Sequence, residues 1–252
     1  MQARALRIGK ATQTMIGVGL ACAILASWVS LHLYAMFGLR IDATTWPLVP
    51  VIAAVQCWLS VGMFIVAHDA MHGSLAPGRP KLNARIGAAM LMIYAGFGWA
   101  KMRDAHFAHH RAPGSGDDPD FDADHPNHFW AWYATFLRRY FGWRSGLYIA
   151  TIVTLYWAVF GVPIANIALL YGPPAIASSL QLFYFGTYRP HRHDDAGFAD
   201  RHNARSEAFG YMGSLFSCFH FGYHHEHHLS PDVPWWALPS RRRHGGMTKA
   251  VA

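Results

Sequence analysis

Residues 15–37, MIGVGLACAILASWVSLHLYAMF, run for 23 positions without an Asp, Glu, Lys or Arg. About 20 apolar residues in a helix cross a bilayer, so this run constrains the fold more than any other stretch. A signal peptide is the weaker reading: its apolar core is shorter, and here a second long apolar run, Pro47–Ala67, follows closely and leads straight into His68. Hydrophobic residues make up 53% of the chain and charged residues 14%, a balance that belongs to a membrane protein. The net charge of +7 comes from basic residues near the termini and in loops beside apolar runs, where they face lipid headgroups and not nucleic acid. Cys22, Cys57 and Cys218 are scattered in or beside apolar runs, which reads as reduced, buried thiols without a disulfide framework.

The remaining apolar segments set the topology. Ile86–Ala100 is too short for a full crossing and reads as a re-entrant or interfacial element. Leu147–Tyr171 reads as a long span kinked at Pro163; after a turn at Gly172–Pro174, Ala175–Tyr188 returns. The expected fold is an all-α integral membrane protein with four transmembrane helices in two hairpins plus interfacial or re-entrant helices. Two hairpins return the chain to its starting side, so every histidine cluster falls on one face, beside the basic N-terminus and the RRRH run at 241–244. By the positive-inside rule that face is cytoplasmic. A single domain is expected over residues 1–238, with a disordered basic tail over 239–252. Residues 111–126, rich in Pro, Gly and Asp, read as a polar loop.

The chain holds 17 histidines but only two glutamates, Glu207 and Glu226. His68 and His72 stand four apart at the end of the second apolar run, so on a helix they share a face one turn apart. His106, His109 and His110 stand at i, i+3 and i+4, and His224, His227 and His228 repeat that pattern. One such pair is more often solvated than metal-bound, but three clusters on one face are costly unless a cation uses their lone pairs. A single zinc takes about four protein ligands, so eight or nine imidazoles imply two ions. The HExxH protease pattern is absent, because Leu229 stands where its second histidine belongs. Two glutamates cannot build the four-glutamate di-iron site of soluble bundles. Spacing alone does not choose among iron, copper and zinc.

HDAMH, HFAHH and HHEHH resemble, in order and spacing, the histidine boxes of the membrane fatty-acid desaturase and hydroxylase superfamily. The longer strings SVGMFIVAHDAMHGSLAPGRPKLN, APGSGDDPDFDAD, LQLFYFGTYRPHRHDDAGFADRHNARS and CFHFGYHHEHHLSP are similar to the bacterial β-carotene ketolases, over about residues 45 to 238. The resemblance implies a histidine-box di-iron fold with iron ligands at His68, His72, His106, His109, His110, His224, His227 and His228. It implies a ninth after the last span, for which His191 in TYRPH is preferred over His193 and His202. Asp69, Asp104, Asp117, Asp118 and Glu226 are available to hold the outer nitrogens of such ligands.

The implied activity is an O2-dependent β-carotene 4-ketolase, with two iron ions as cofactor. Two successive hydroxylations at one C4 methylene, then loss of water, take β-carotene to echinenone and canthaxanthin; acceptance of hydroxylated rings, as from zeaxanthin to astaxanthin, is left open. No flavin or dinucleotide fingerprint is present, so a separate electron donor such as a ferredoxin is implied. The implied location is the bacterial inner membrane, with membrane lipid around the spans and the boxes at the cytoplasmic side. A carotenoid 3-hydroxylase and a fatty-acid desaturase are the nearest alternatives, and a metal-transport protein is a more distant one. His32, inside the first span, reads as a packed or snorkelling residue, and His125, His128 and His244 read as loop residues. Trp130, Trp132, Trp143, Trp235 and Trp236 read as an interfacial belt.

Overall fold

A computed structural model describes residues 8–194 and 197–244, and among these it is helical with no β-strand. Helix α1 (Lys10–Leu33) continues through a π-helical turn, Tyr34–Gly38, and α2 spans Leu48–His72. The two segments, Lys10–Gly38 and Leu48–His72, are long and apolar enough to cross a membrane. They run antiparallel: the Gln13 side chain, early in α1, donates to the Ser74 carbonyl just past the end of α2 at 2.7 Å. Met15, Val51 and Val55 are exposed, so the two helices present apolar side chains on their outer surface.

Helices α3 (Pro80–Ala95) and α4 (Trp99–Arg111) replace the short element expected over Ile86–Ala100. The apolar run breaks at Gly96, whose φ of 67° is left-handed, and α4 restarts after Gly98. Because Trp99 packs over Gly87, where an added Cβ would lie 2.0 Å from the indole, the two helices approach closely. The stretch expected as one short element is thus two helices joined at a glycine turn.

Helix α5 covers Phe129–Tyr140, and the side chain of His128 accepts from Ala131 N at 3.2 Å to cap it. Helix α6 (Trp143–Thr154) ends in a π-helical turn, Leu155–Val159. The span expected over Leu147–Tyr171 is not one kinked helix. Gly161, at φ 65°, ends it, and α7 (Ile164–Leu170) packs back so that Tyr171 and Tyr156 lie 6.1 Å apart by ring centroid. The reversal therefore lies at residues 160–163 and not at Gly172–Pro174, since Pro173 and Pro174 occupy the first turn of α8 (Gly172–Phe183), where missing N–H groups cost nothing. Asn166 on α7 donates to the carbonyls of Ala35 and Leu39 at 2.7 and 2.8 Å, satisfying acceptors left at the end of the first long helix.

Helix α8 continues through a π-helical turn, Tyr184–Tyr188, into the short α9 (Arg189–His191). Helices α10 (Tyr211–Cys218), α11 (His224–Leu229) and α12 (Leu238–His244) complete the chain. Residues 239–244 are thus helical and not tail, and His244 lies within that helix and not in a loop, while 245–252 fall outside the described residues. Two further expectations change. Trp132 is fully buried and donates to the Asp120 carbonyl at 2.7 Å, and Trp235 is buried too, so of the five tryptophans expected in a belt Trp130 and Trp143 alone stand well out from the surface. All three cysteines are free, but Cys22 is exposed on α1 and Cys57 only half-buried.

Candidate metal centre

Three helices deliver the histidine boxes. Helix α2 ends at Gly73, left-handed at φ 74°, which leaves His68 and His72 on its last two turns. Helix α4 carries His106, His109 and His110 in its second half. Before α11 the backbone turns through two consecutive non-glycine left-handed residues, Phe219 (φ 49°) and His220 (φ 62°). Each is a conformation L-residues disfavour, and the turn they make feeds the third box back against the first two.

The nine expected ligand residues come together as two adjacent groups, with ligand atoms in each within 4.8 Å of one another. One holds His68, His72, His106, His110 and His227; the other holds His109, His191, His224 and His228. Helix spacing could not assign this division, in which the second and third boxes each split between the two groups. Within the first, Nε2 of His227 lies 3.1 Å from Nε2 of both His68 and His110, and Nε2 of His72 lies 2.6 Å from that of His106. Within the second, the Nε2 separations are 2.9 Å for His191–His224, 3.0 Å for His228–His224 and 3.3 Å for His109–His228. A metal–nitrogen bond of about 2.1 Å places neighbouring ligand nitrogens about 3.0 Å apart at right angles and about 3.4 Å apart at tetrahedral angles. The spacing and the all-imidazole chemistry therefore fit a pair of transition-metal ions.

The outer nitrogens support the same orientation. His109 Nδ1 meets both carboxylate oxygens of Asp118, at 3.0 and 2.9 Å, and His191 Nδ1 donates to the Asn203 carbonyl at 2.7 Å. A proton held on Nδ1 leaves the Nε2 lone pair free to point inward. Burial first, then neighbouring imidazoles, hold His106, His224, His227 and His228 well below the ordinary imidazole range. The same causes push His191 down to about 3 and His110 to about 2. His109 is the exception: burial opposes its protonated form, but the hydrogen bond and charge of Asp118 outweigh it and raise its pKa. Those six imidazoles are held neutral, their converging lone pairs suited to a cation, while Asp118 supplies a compensating negative charge at His109.

Of the alternatives for the ninth position, His193 turns away and meets the Gly114 carbonyl at 2.9 Å, while the His202 ring stays 6.1 Å from that of His228. Among the carboxylates, Asp118 reaches a clustered histidine, and Asp69 lies 3.6 Å from His68 Nδ1 while accepting from Trp235 N at 3.0 Å. Asp104 and Asp117 are exposed, and Glu226 turns to the Ser206 hydroxyl and to Arg242 at 3.7 Å. The sequence reading did not single out Asp120, which sits 4.0 Å from His109 Nδ1 and accepts from the Tyr140 hydroxyl. Burial, with the nearby Asp118 charge adding to it against the pull of His109, lifts Asp120 to about 6. Its signal lay in the repeated aspartates of the 111–126 loop. His32, within α1, is packed: it stacks on Trp28 at 4.6 Å and hydrogen-bonds Tyr156 and Gln56.

The family model described as fatty acid desaturase matches residues 44–149 and 123–245. A protein named beta-carotene ketolase from Paracoccus sp. (strain PC1) is 49% identical over 242 residues, 94% of this chain and 97% of that one. The chain belongs to the β-carotene ketolases of the fatty acid desaturase family. More distant ketolases share 32% identity: the beta-carotene 4-ketolase of Protosiphon botryoides aligns over 93% of this chain and 65% of its own length. For the zeaxanthin 4-ketolase of Chlamydomonas reinhardtii the shares are 90% and 53%. The ketolase resemblance therefore spans the two histidine groups and the helices that carry them.

An apolar cavity of about 80 Å³ opens onto the two groups, with His68, His106, His109 and His224 in its wall. Phe64, Met71, Phe97, Phe136, Leu182 and Phe221 make most of the rest. This apolar lining faces the histidines and keeps bulk water away from them.

Proposed function

We propose that the chain is a β-carotene 4-ketolase, an O2-dependent oxygenase that converts the C4 methylene of a β-ionone ring to a ketone. The observation that carries this reading is the placement of two all-histidine groups in the wall of an apolar cavity, in a chain 49% identical to a named ketolase. His68, His72, His106, His110 and His227 would hold one iron, and His109, His191, His224 and His228 the other. When bound, the iron pair supplies the oxidant formed from O2 and two external electrons that attacks the C–H bond.

The chain's own residues do the rest. The aromatic and aliphatic wall holds the ring by burial of apolar surface and excludes water from the reacting carbon. C4 neighbours the ring double bond and the conjugated chain, so a hydrogen lost there leaves a delocalised centre, and a wall that seats the ring in one orientation selects that carbon. Asp118 and the Asn203 carbonyl keep the protons of His109 and His191 on Nδ1. Two hydroxylations at the same carbon give a gem-diol, and loss of water gives the ketone. Each hydroxylation takes up one O2, two electrons and two protons and releases one water, with the electrons drawn from a separate donor such as a ferredoxin.

The membrane arrangement belongs to the same proposal. Lys10–Gly38 and Leu48–His72 form one hairpin of crossings, and residues 143–159 with residues 164–188 form the other. Helices α3 and α4 lie between them as the re-entrant pair. All nine histidines then sit at the cytoplasmic boundary of a bacterial inner membrane, beside the basic N-terminus.

Expression in β-carotene-producing cells tests the function. Keto-carotenoids are the expected products, with iron near two per chain in the purified protein. Ring-3-hydroxylated pigments would assign the carotenoid hydroxylase reaction instead, and new unsaturated lipids without a pigment change would assign a desaturase.

A further inference from the structure

A second apolar cavity, about 530 Å³, is lined by residues of every helix from α1 to α8 except α4 and has no role in the reading above. It shares four wall residues with the cavity at the histidines: Tyr94, Phe97, Leu137 and Ser179. Along α2 the two cavities follow one stripe, with Gln56 and Ser60 lining the outer and Phe64 and His68 the inner, so they lie in line. From Gln56 to His68 is 12 residues, about 18 Å of helix at 1.5 Å per residue. An apolar space of that reach is far longer than a single ring needs.

The junction is held in place. The Tyr94 hydroxyl lies 3.1 Å from Ser178 Oγ, and Tyr133 donates to Ser179 Oγ at 3.1 Å, so α8 fixes both tyrosines through adjacent serines. The Tyr94 ring is further braced by Phe64 at 5.6 Å and Phe97 at 5.9 Å between centroids. With the hydroxyls occupied, hydrocarbon is what the junction offers a ligand, and Ser179 is its smallest wall residue. Ser179 combines a small side chain with a partner for Tyr133, and both properties keep the junction open.

We infer that this junction is the passage through which the conjugated chain of the substrate runs, with one end ring at the histidines and the remainder in the outer cavity, and that Ser179 is a specificity-determining residue because its small size sets the bore. The inference rests on the ketolase reading and adds to it the route and its narrowest wall. A conjugated polyene lacks hydrogen-bonding groups and is stiff, so it needs a straight, dry and continuous passage. The two cavities line up for one, with Tyr94, Phe97, Leu137 and Ser179 in both walls.

The test is a size series, Ser179→Ala, Ser179→Val, Ser179→Leu and Ser179→Phe, made in the full chain in β-carotene-producing cells. Carotenoid co-purifying per chain is read by absorbance, ketone by product analysis, and iron per chain and helix content serve as controls. Bound carotenoid is expected to stay near the parent level for Ala and to fall with side-chain size, by about tenfold for Phe, an overpacking effect of the usual size. Iron should stay at the parent level throughout. Should Ser179→Phe fail to fold, the smaller Val and Leu substitutions carry the same trend. A series with no size dependence, or an Ala variant as impaired as Phe, overturns the passage. A parent chain that binds carotenoid and yields no ketone would instead overturn the ketolase reading, while the size series in bound pigment would still decide the passage.

Discussion

His109 Nδ1 lies 2.9 Å from Asp118 Oδ2, and both side chains are buried. The carboxylate also accepts from Gly114 N and Asp120 N, each at 2.8 Å, so the loop that folds around Asp118 is built onto one histidine of the second group. Asp118→Ala is expected to lower iron affinity by about 10–100-fold, while Asp118→Asn, which keeps an acceptor oxygen, should lose less. His109→Ala should abolish ketone formation. Iron retained through chelator dialysis, measured beside the product profile, checks all three, and parental behaviour of His109→Ala would remove it from the ligand set.

His191 and His193 are two residues apart and face different surroundings. His191 Nε2 points at His224 Nε2, whereas His193 stacks on Phe121 at 5.0 Å and meets the Gly114 carbonyl. Replacing His191 with alanine should cost the second ion, leaving about one iron per chain. The same change at His193 should leave iron content at the parent value, and a reversed outcome would exchange their roles.

The histidine shell makes the metal-free protein acid-sensitive. His106, His110, His191, His224, His227 and His228 all have depressed pKa values when folded. The unfolded chain, with imidazoles near 6.5, therefore binds more protons as pH falls through that value, and stability falls with it. His109 acts in the opposite sense, because its raised pKa contributes stability below about 6.5 that is lost at higher pH. Asp120, lifted to about 6 by burial, acts in the same sense as His109, favouring the folded state as pH falls through that value. Six imidazoles against these two groups decide the direction. A lower Tm at pH 5.5 than at pH 7.5 is expected for iron-free protein in detergent, and an unchanged Tm would contradict it.

Trp130 and Trp132 separate surface from core within one turn of α5. Trp132 is fully buried between Phe121 and Phe183, at ring distances of 5.0 and 5.9 Å, while Trp130 is 64% exposed. Trp132→Ala should cost about 3–5 kcal/mol. Trp130→Ala should stay within about 0.5 kcal/mol, as an exposed substitution does. Thermal unfolding of the two variants in one detergent would show the contrast, and equal losses would contradict it.

Asp69 ties the C-terminal segment to α2, its Oδ2 accepting from Trp235 N at 3.0 Å. Asp69→Ala leaves that buried N–H without its acceptor and should cost about 1–3 kcal/mol. If the link also steadies His68, 3.6 Å from Asp69 Oδ1, iron should be lost faster to a chelator. A chelation rate equal to the parent's would limit Asp69 to a structural role.

The sequence by itself determined the local terms. Charge-free runs at 15–37 and 47–67 dictated long apolar helices, because an unpaired backbone is costly in hydrocarbon and helical pairing is internal to each segment. The i, i+3, i+4 spacing put each histidine box on one helix face, since 3.6 residues make a turn. What needed the tertiary structure was everything set by distant partners. Phe160 to Pro163 became the reversal because α7 could pack back on α6 and Asn166 could reach the carbonyls of Ala35 and Leu39. Trp132 went inside because Asp120, twelve residues earlier, offered its carbonyl. The second and third boxes divided between two groups, and His191 joined where His193 did not, because each ring goes to whichever neighbours lie within a few ångströms. Periodicity fixes the face of a helix, but only the packing of one helix on another fixes what that face meets.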